Sequence, residues 1–156
     1  MISYFDDYIS SDFSENYWFD EASIIASDLL SDFSVLDWQD LEKIIEYKDR
    51  PWIEKLSYLL GDFDNQYSIN ILLKILEKDD DVAIYAISSL SEIIGKNNVF
   101  IAENSIEFQN LLLKLKSYSY RDDSKINKII LENAIKNIGS YVGLNDSETQ
   151  HFKCKP

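Results

Sequence analysis

The chain has 156 residues, 46% of them hydrophobic, and a net charge of −13, which suits one domain with a real core and excludes a disordered chain. Two prolines and four glycines leave little room for a turn-rich β fold, and a lone Cys154 cannot staple one. No apolar run approaches the ~18 residues that span a membrane, and Asp6 and Asp7 follow Met1-Ile2 too closely for a basic leader, so we expect a soluble, cytoplasmic protein.

Residues 8–22, YISSDFSENYWFDEA, carry five aromatics and four acids without a cation. No helix or strand can bury Tyr17, Trp18 and Phe19 on one face, so at least one is expected near the surface. From residue 20 onward helix signals dominate. Asp20 is a plausible N-cap for a helix that turns Ala22, Ile25, Ala26, Leu29, Leu30 and Phe33 inward. Asp37 would cap the next, with Asp40 at its third position and Trp38, Leu41, Ile44 and Ile45 inward. In DRPWIEKLSYLLG, Pro51 suits a first helical turn and Gly61 a left-handed residue just past the end. Four more helical segments follow: QYSINILLKILEK, DDDVAIYAISSLSEIIG, SIEFQNLLLKLKSY and DSKINKIILENAIKNIG. Gly95 and Gly139 are expected to stop the second and fourth of these. Residues 1–16 and the stretch after Gly143 carry no assignable element.

Three helix ends look alike: EKLSYLLG at 54–61, SSLSEIIG at 88–95 and ENAIKNIG at 132–139. The helices preceding the second and third contain LLKIL (72–76) and LLKLK (112–116). This is a helical-hairpin repeat with one stretched unit, in the solenoid range. The segment LLKILEKDDDVAIYAISSLSEIIG (72–95) resembles a HEAT-type repeat, through Leu72, Leu73, Leu76, Asp80, Val82, Ala86, Leu90, Ile94 and Gly95. Ala83 stands where that family usually has an arginine, so the cation that often ties neighbouring repeats is missing. The resemblance covers roughly residues 37–140 and implies an all-α protein: stacked hairpins forming a short HEAT-like solenoid of about three repeats. The other arrangement open to these helices is an irregular bundle. We read one domain over 1–156, with an acidic aromatic segment at 1–36, the repeats at 37–140 and a tail at 141–156.

Catalytic and cofactor chemistry finds little to stand on. His151, the one histidine, lies in a polar tail with Cys154, and two ligands do not close a metal site. No Gly-x-Gly or Gly-Lys-Ser/Thr element offers a phosphate cradle. Asp62 and Asp64 begin a segment like a calcium loop, but Tyr67 stands where glycine is required and Leu73 where a bidentate glutamate is required. Asp79, Asp80 and Asp81 read more simply as a turn and helix cap. Nothing selects any two of the 28 acids as a glycosidase pair. We expect no enzyme, no metal and no cofactor.

The charge is informative once divided. Residues 1–81 hold 20 acids against 6 bases, while residues 82–156 hold 8 against 9; the first 42 residues carry 11 acids and no base. Such a field repels nucleic acid and anionic lipid and attracts a basic surface. An ordinary solvated face mixes its signs instead. Aromatics amid carboxylates suit a cationic protein partner, with the rings as anchors and the acids steering the encounter. In size, charge and repeat type the chain is similar to bacterial immunity proteins of contact-dependent and polymorphic toxin systems. That resemblance implies a protein, a monomer when free, that neutralises a basic toxin, such as a nuclease, by non-covalent occlusion. The expected contact set is Asp12, Glu15, Tyr17, Trp18, Asp20, Glu21, Asp28, Asp32, Asp37 and Asp40, with Trp18 as anchor. Glu54, Lys55, Tyr58, Ser88, Ser89 and Glu92 would line a concave face of the repeats. The alternatives are a HEAT-like adaptor that binds another protein, and an acidic nucleic-acid mimic.

Overall fold

The computed structural model describes residues 1–78, 80–96, 105–119 and 125–141, and these form eight helices and no strand. They are α1 (Ile2–Ile9), α2 (15–31), α3 (Val35–Ile44, continued by a 3₁₀ turn, Ile45–Tyr47), α4 (Arg50–Leu60), α5 (Gln66–Lys78), α6 (Asp80–Lys96), α7 (Ser105–Ser119) and α8 (Lys125–Tyr141). The protein is all-α among the described residues, and no helix there is long and apolar enough to cross a membrane.

The first helix has no counterpart in the sequence reading. At eight residues α1 is too short to persist alone, so tertiary contacts must hold it. Phe5 and Ile9 are fully buried. The Phe5 ring meets Phe33 edge-on at 5.3 Å and Trp52 at 6.5 Å. One residue on, the Asp6 carboxylate accepts a hydrogen bond from Trp52 Nε1 at 3.0 Å and one from Lys48 Nζ at 2.6 Å. Lys55 holds the other end of α1, donating to the carbonyls of Ile9 (3.0 Å) and Ser11 (2.8 Å).

Helix α2 begins six residues earlier than Asp20 would place it. Ser14 is the cap, its Oγ accepting from the Tyr17 N–H at 3.3 Å. Asp20 instead lies within the helix, in a π-helical turn spanning Trp18–Ala22. That wider turn changes the register, and Trp18, Ala22, Ala26 and Leu30 all become buried. Ile25, expected inward, is 42% exposed, and its neighbour Ile24 is 58% exposed.

Helix α3 also corrects its expected cap. Ser34 is the N-cap and Asp37 the third helical residue. Ser34 Oγ accepts from the Asp37 N–H, and Asp37 Oδ2 accepts from the Ser34 N–H at 3.0 Å. A serine three residues before an acid can satisfy two end N–H groups reciprocally, which a lone Asp37 cap cannot. Asp40 therefore lies one turn further in. Trp38, Leu41 and Ile45 are buried as expected, and Trp38 stacks on Tyr67 at 6.0 Å with an 11° tilt. In α4, Asp49 is the cap and Pro51 occupies the first turn.

The glycines differ from expectation. Gly61 follows α4 with φ −61° and ψ −21°, a right-handed conformation. Its role is close approach: a Cβ there would come within 3.1 Å of Ser89 Oγ and 3.1 Å of Glu92 Oε2 on α6. Helix α6 continues past Gly95 to Lys96, and α8 continues past Gly139 to Tyr141.

Helices α5 and α6 pack together, as do α7 and α8, and α6 lies between α4 and α8. Their interior is aliphatic and includes Leu72, Ile75, Leu90, Ile94, Leu115 and Ile138. Polar ties run between the packed helices. Lys74 of LLKIL reaches back to the Glu42 carbonyl of α3 at 3.4 Å and lies 3.4 Å from the Glu46 carboxylate. Lys114 of LLKLK reaches back to the Leu76 carbonyl of α5. Ser89 Oγ donates to the Ser57 carbonyl of α4 at 2.6 Å, and Asn137 on α8 donates to Ser91 on α6 at 3.1 Å.

Candidate functional site

The residues expected to meet a partner fall into three groups. The first is structural. Trp18 is 6% exposed; its ring lies 5.8 Å from Phe13 and beneath the Lys55 ammonium, 5.5 Å away. The same ammonium is 5.0 Å from the Phe13 ring. Trp18 is therefore core, which corrects its placement as an exposed anchor, and Phe13 and Trp18 close on Lys55. Burial pushes the Lys55 pKa down, against the pull of the Asp12 and Asp49 carboxylates. Asp12 is exposed but acts on this lysine. Asp37 holds the α3 capping box and pairs with the Met1 ammonium at 3.1 Å. Its carboxyl is held well below the usual carboxylate range, chiefly by the Ser34 hydroxyl and N–H, then by the terminal ammonium. Glu54 pairs with Arg50 at 2.7 Å, and Asp40 with Lys43 at 2.8 Å. Asp37, Asp40 and Glu54 are thus already paired.

The second group is the outer face of α2. Glu21, Ile24, Ile25, Asp28 and Asp32 are all exposed, and their spacing of three and four places them on one side of the helix. Glu15 and Asp20 are exposed near its start, as is Tyr17 at 42%. Among the described residues no cation pairs with Glu15, Asp20, Glu21, Asp28 or Asp32. The result is an aliphatic pair surrounded by carboxylates.

The third group is a cleft of about 320 Å³ between α4 and α6, lined by Tyr58, Asp62, Tyr85, Ser88, Ser89 and Glu92. Four of the six concave-face residues named from the helix-end alignment meet here. Glu54 and Lys55 do not, because they are engaged with Arg50 and with α1. Asp62, Tyr85 and Phe19 were missed. Tyr85, Ser88 and Glu92 are spaced three and four apart, a shared-face signal present in the sequence. Phe19 joins the rim through the π-helical turn, meeting Tyr58 edge-on at 5.3 Å.

Among the described residues no group of three or more His, Cys, Asp or Glu could hold a metal ion. His151, Cys154 and Asp79 lie outside the described residues, as does nearly all of the 141–156 tail. Comparison of the chain with protein-family models, with curated proteins and with solved structures finds no match.

Proposed function

We propose that this protein is a non-catalytic inhibitor, of the immunity-protein kind, that binds a basic toxin domain in the cytoplasm and occludes it. Its scaffold, on this reading, is a short HEAT-like solenoid. The back-reaching lysines Lys74 and Lys114 and the succession α4, α6, α8 support that arrangement. The observation that carries the function is the outer face of α2, where Ile24 and Ile25 stand in water between Glu21, Asp28 and Asp32. Exposed aliphatics supply area that gains from burial, and the carboxylates around them select a cationic surface and speed its approach. The same pair of isoleucines argues against a nucleic-acid mimic, since nothing on a phosphate backbone corresponds to an apolar patch. An adaptor for another folded subunit would not need this density of one charge sign.

The test uses the purified chain and its Asp28→Lys/Asp32→Lys variant as parallel baits in the native host's lysate, with mass spectrometry of what each retains. A basic protein retained by the first and lost by the second is the expected result. The same proteins on both baits would remove α2 from the interface. Enrichment of acidic proteins alone would end the proposal.

A further inference from the structure

We infer that the cleft between α4 and α6 is a pocket for one arginine side chain presented by a basic protein partner. The inference rests on the preceding reading only in taking the partner to be a basic protein; the pocket itself is argued from its own atoms. At about 320 Å³ it is at the small end of ligand sites, too small for a folded element and large enough for one side chain. Two walls are aromatic: Tyr58 is 47% exposed and Tyr85 43%. Phe19 braces Tyr58 from the side, with the rings 80° apart. The Glu92 carboxylate lies against Gly61, where the missing side chain leaves it room. Among the described residues Glu92 has neither a hydrogen bond nor an ion pair. The Ser89 hydroxyl proton is already committed to the Ser57 carbonyl.

The pocket thus combines aromatic faces with the Glu92 carboxylate as acceptor, and Asp62 lines the same cleft. An anion is repelled by such a lining, and a neutral apolar group leaves the Glu92 carboxylate without a partner. A guanidinium meets both demands: its flat face lies on a tyrosine ring while its N–H fork reaches a carboxylate. A lysine ammonium carries the same charge but has no plane to stack and no fork.

Nitrogen-15-labelled protein, at about 0.15 M ionic strength to screen distant charges, can be titrated with Nα-acetyl-arginine amide while its amide signals are followed. The controls are the corresponding citrulline amide, which has nearly the same shape without charge, and the lysine amide. The arginine probe is expected to shift the Tyr58, Ser88 and Glu92 signals, saturating at about 1–10 mM, the range open to a single side chain. The citrulline probe should bind at least about tenfold more weakly, and the lysine probe should fall between. Glu92→Gln should weaken the arginine probe about tenfold, and Tyr85→Leu should do so while keeping the wall filled. Both variants change partly exposed side chains, and a dispersed spectrum verifies their folding. Equal binding of arginine and citrulline probes, or no shift in the cleft up to about 50 mM, would overturn the pocket. A pocket that fails while partner capture still depends on Asp28 and Asp32 leaves the inhibitor reading standing. Asp28→Lys/Asp32→Lys should leave the arginine titration unchanged.

Discussion

In α1 to α4 the core sets large rings among its aliphatic side chains. Phe5 meets Phe33 and Trp52, Trp38 meets Phe33, and Trp18 meets Phe13. In α5 to α8 the buried hydrophobics among the described residues are leucine, isoleucine and alanine. The first region has a short helix and a helix with a π turn; the second has helices of 13 to 17 residues. Long helices with repeating aliphatic ridges can stack on one another by a single rule. Short ones need large side chains and polar pins to fix each contact. The charge follows the same division. Of the six bases in residues 1–81, Lys48 and Lys55 are turned to Asp6 and to the end of α1. They hold the frame from inside and leave the outer face of α2 acidic. This acidic region resists its own like-charge repulsion with buried rings and inward cations.

The comparison is broken most severely at Trp52. Trp52→Ala should cost about 3–5 kcal/mol in chemical denaturation, the range for deleting a buried aromatic. Amide exchange should then accelerate in α1 before it does in α6. Uniform acceleration throughout would show the two regions to be one cooperative unit. Lys55→Ala should cost about 2 kcal/mol, because two carbonyls lose a charged donor. Lys55→Met keeps the stem over Phe13 and Trp18, and full recovery in that variant would show the charge to be idle. Gly61→Ala should cost about 1–3 kcal/mol through the crowding at Ser89 and Glu92. A neutral result would mean that α6 yields easily there.

Removing the α3 cap with Ser34→Ala should cost about 1 kcal/mol. Its partner Asp37 adds a pH signature. A carboxyl whose folded pKa is depressed contributes stability above its unfolded pKa of about 3.9, and loses it as pH falls toward the folded value. The stability gap between the wild type and Asp37→Asn should therefore be full at neutral pH and shrink below about pH 4. A gap independent of pH would refute the ionised cap. The smallest effect has the opposite sign. Gly139 lies within α8 with nothing inside 4 Å of a built Cβ, so Gly139→Ala should stabilise by up to about 1 kcal/mol. A loss would mean that the chain does stop at that glycine in solution.

Helices with a strong period were legible, and so was the all-α class. The failures have particular causes. Helix α1 carries Ile2, Phe5 and Ile9 at helical spacing, but Asp6 and Asp7 dilute the pattern and no side-chain cap marks its start. Ser34 and Asp37 both suit a cap, and only the reciprocal bond between them decides which serves. A glycine before a loop suggests a positive φ, yet at Gly61 the demand comes from Ser89 and Glu92 on α6, 28 and 31 residues away in the chain. No sequence signal announced the π turn, and with it went the facing of Trp18, Ile25 and Phe19. Four cleft residues were found because helix-end alignment preserves facing, while Phe19 and Asp62 arrive from outside that alignment.

The wide turn at Trp18–Ala22 holds more chain than an α-helix needs between the same ends. It is therefore a place where length can change. Deleting Phe19 would let the turn relax toward an ordinary helix, with the Ser14 cap and the Ala26–Leu30 seam kept on their faces. The residue removed is the one that leans on Tyr58 at the cleft. A lineage could thus redraw the rim of that cleft by gaining or losing a single codon while the core behind it stays as it is.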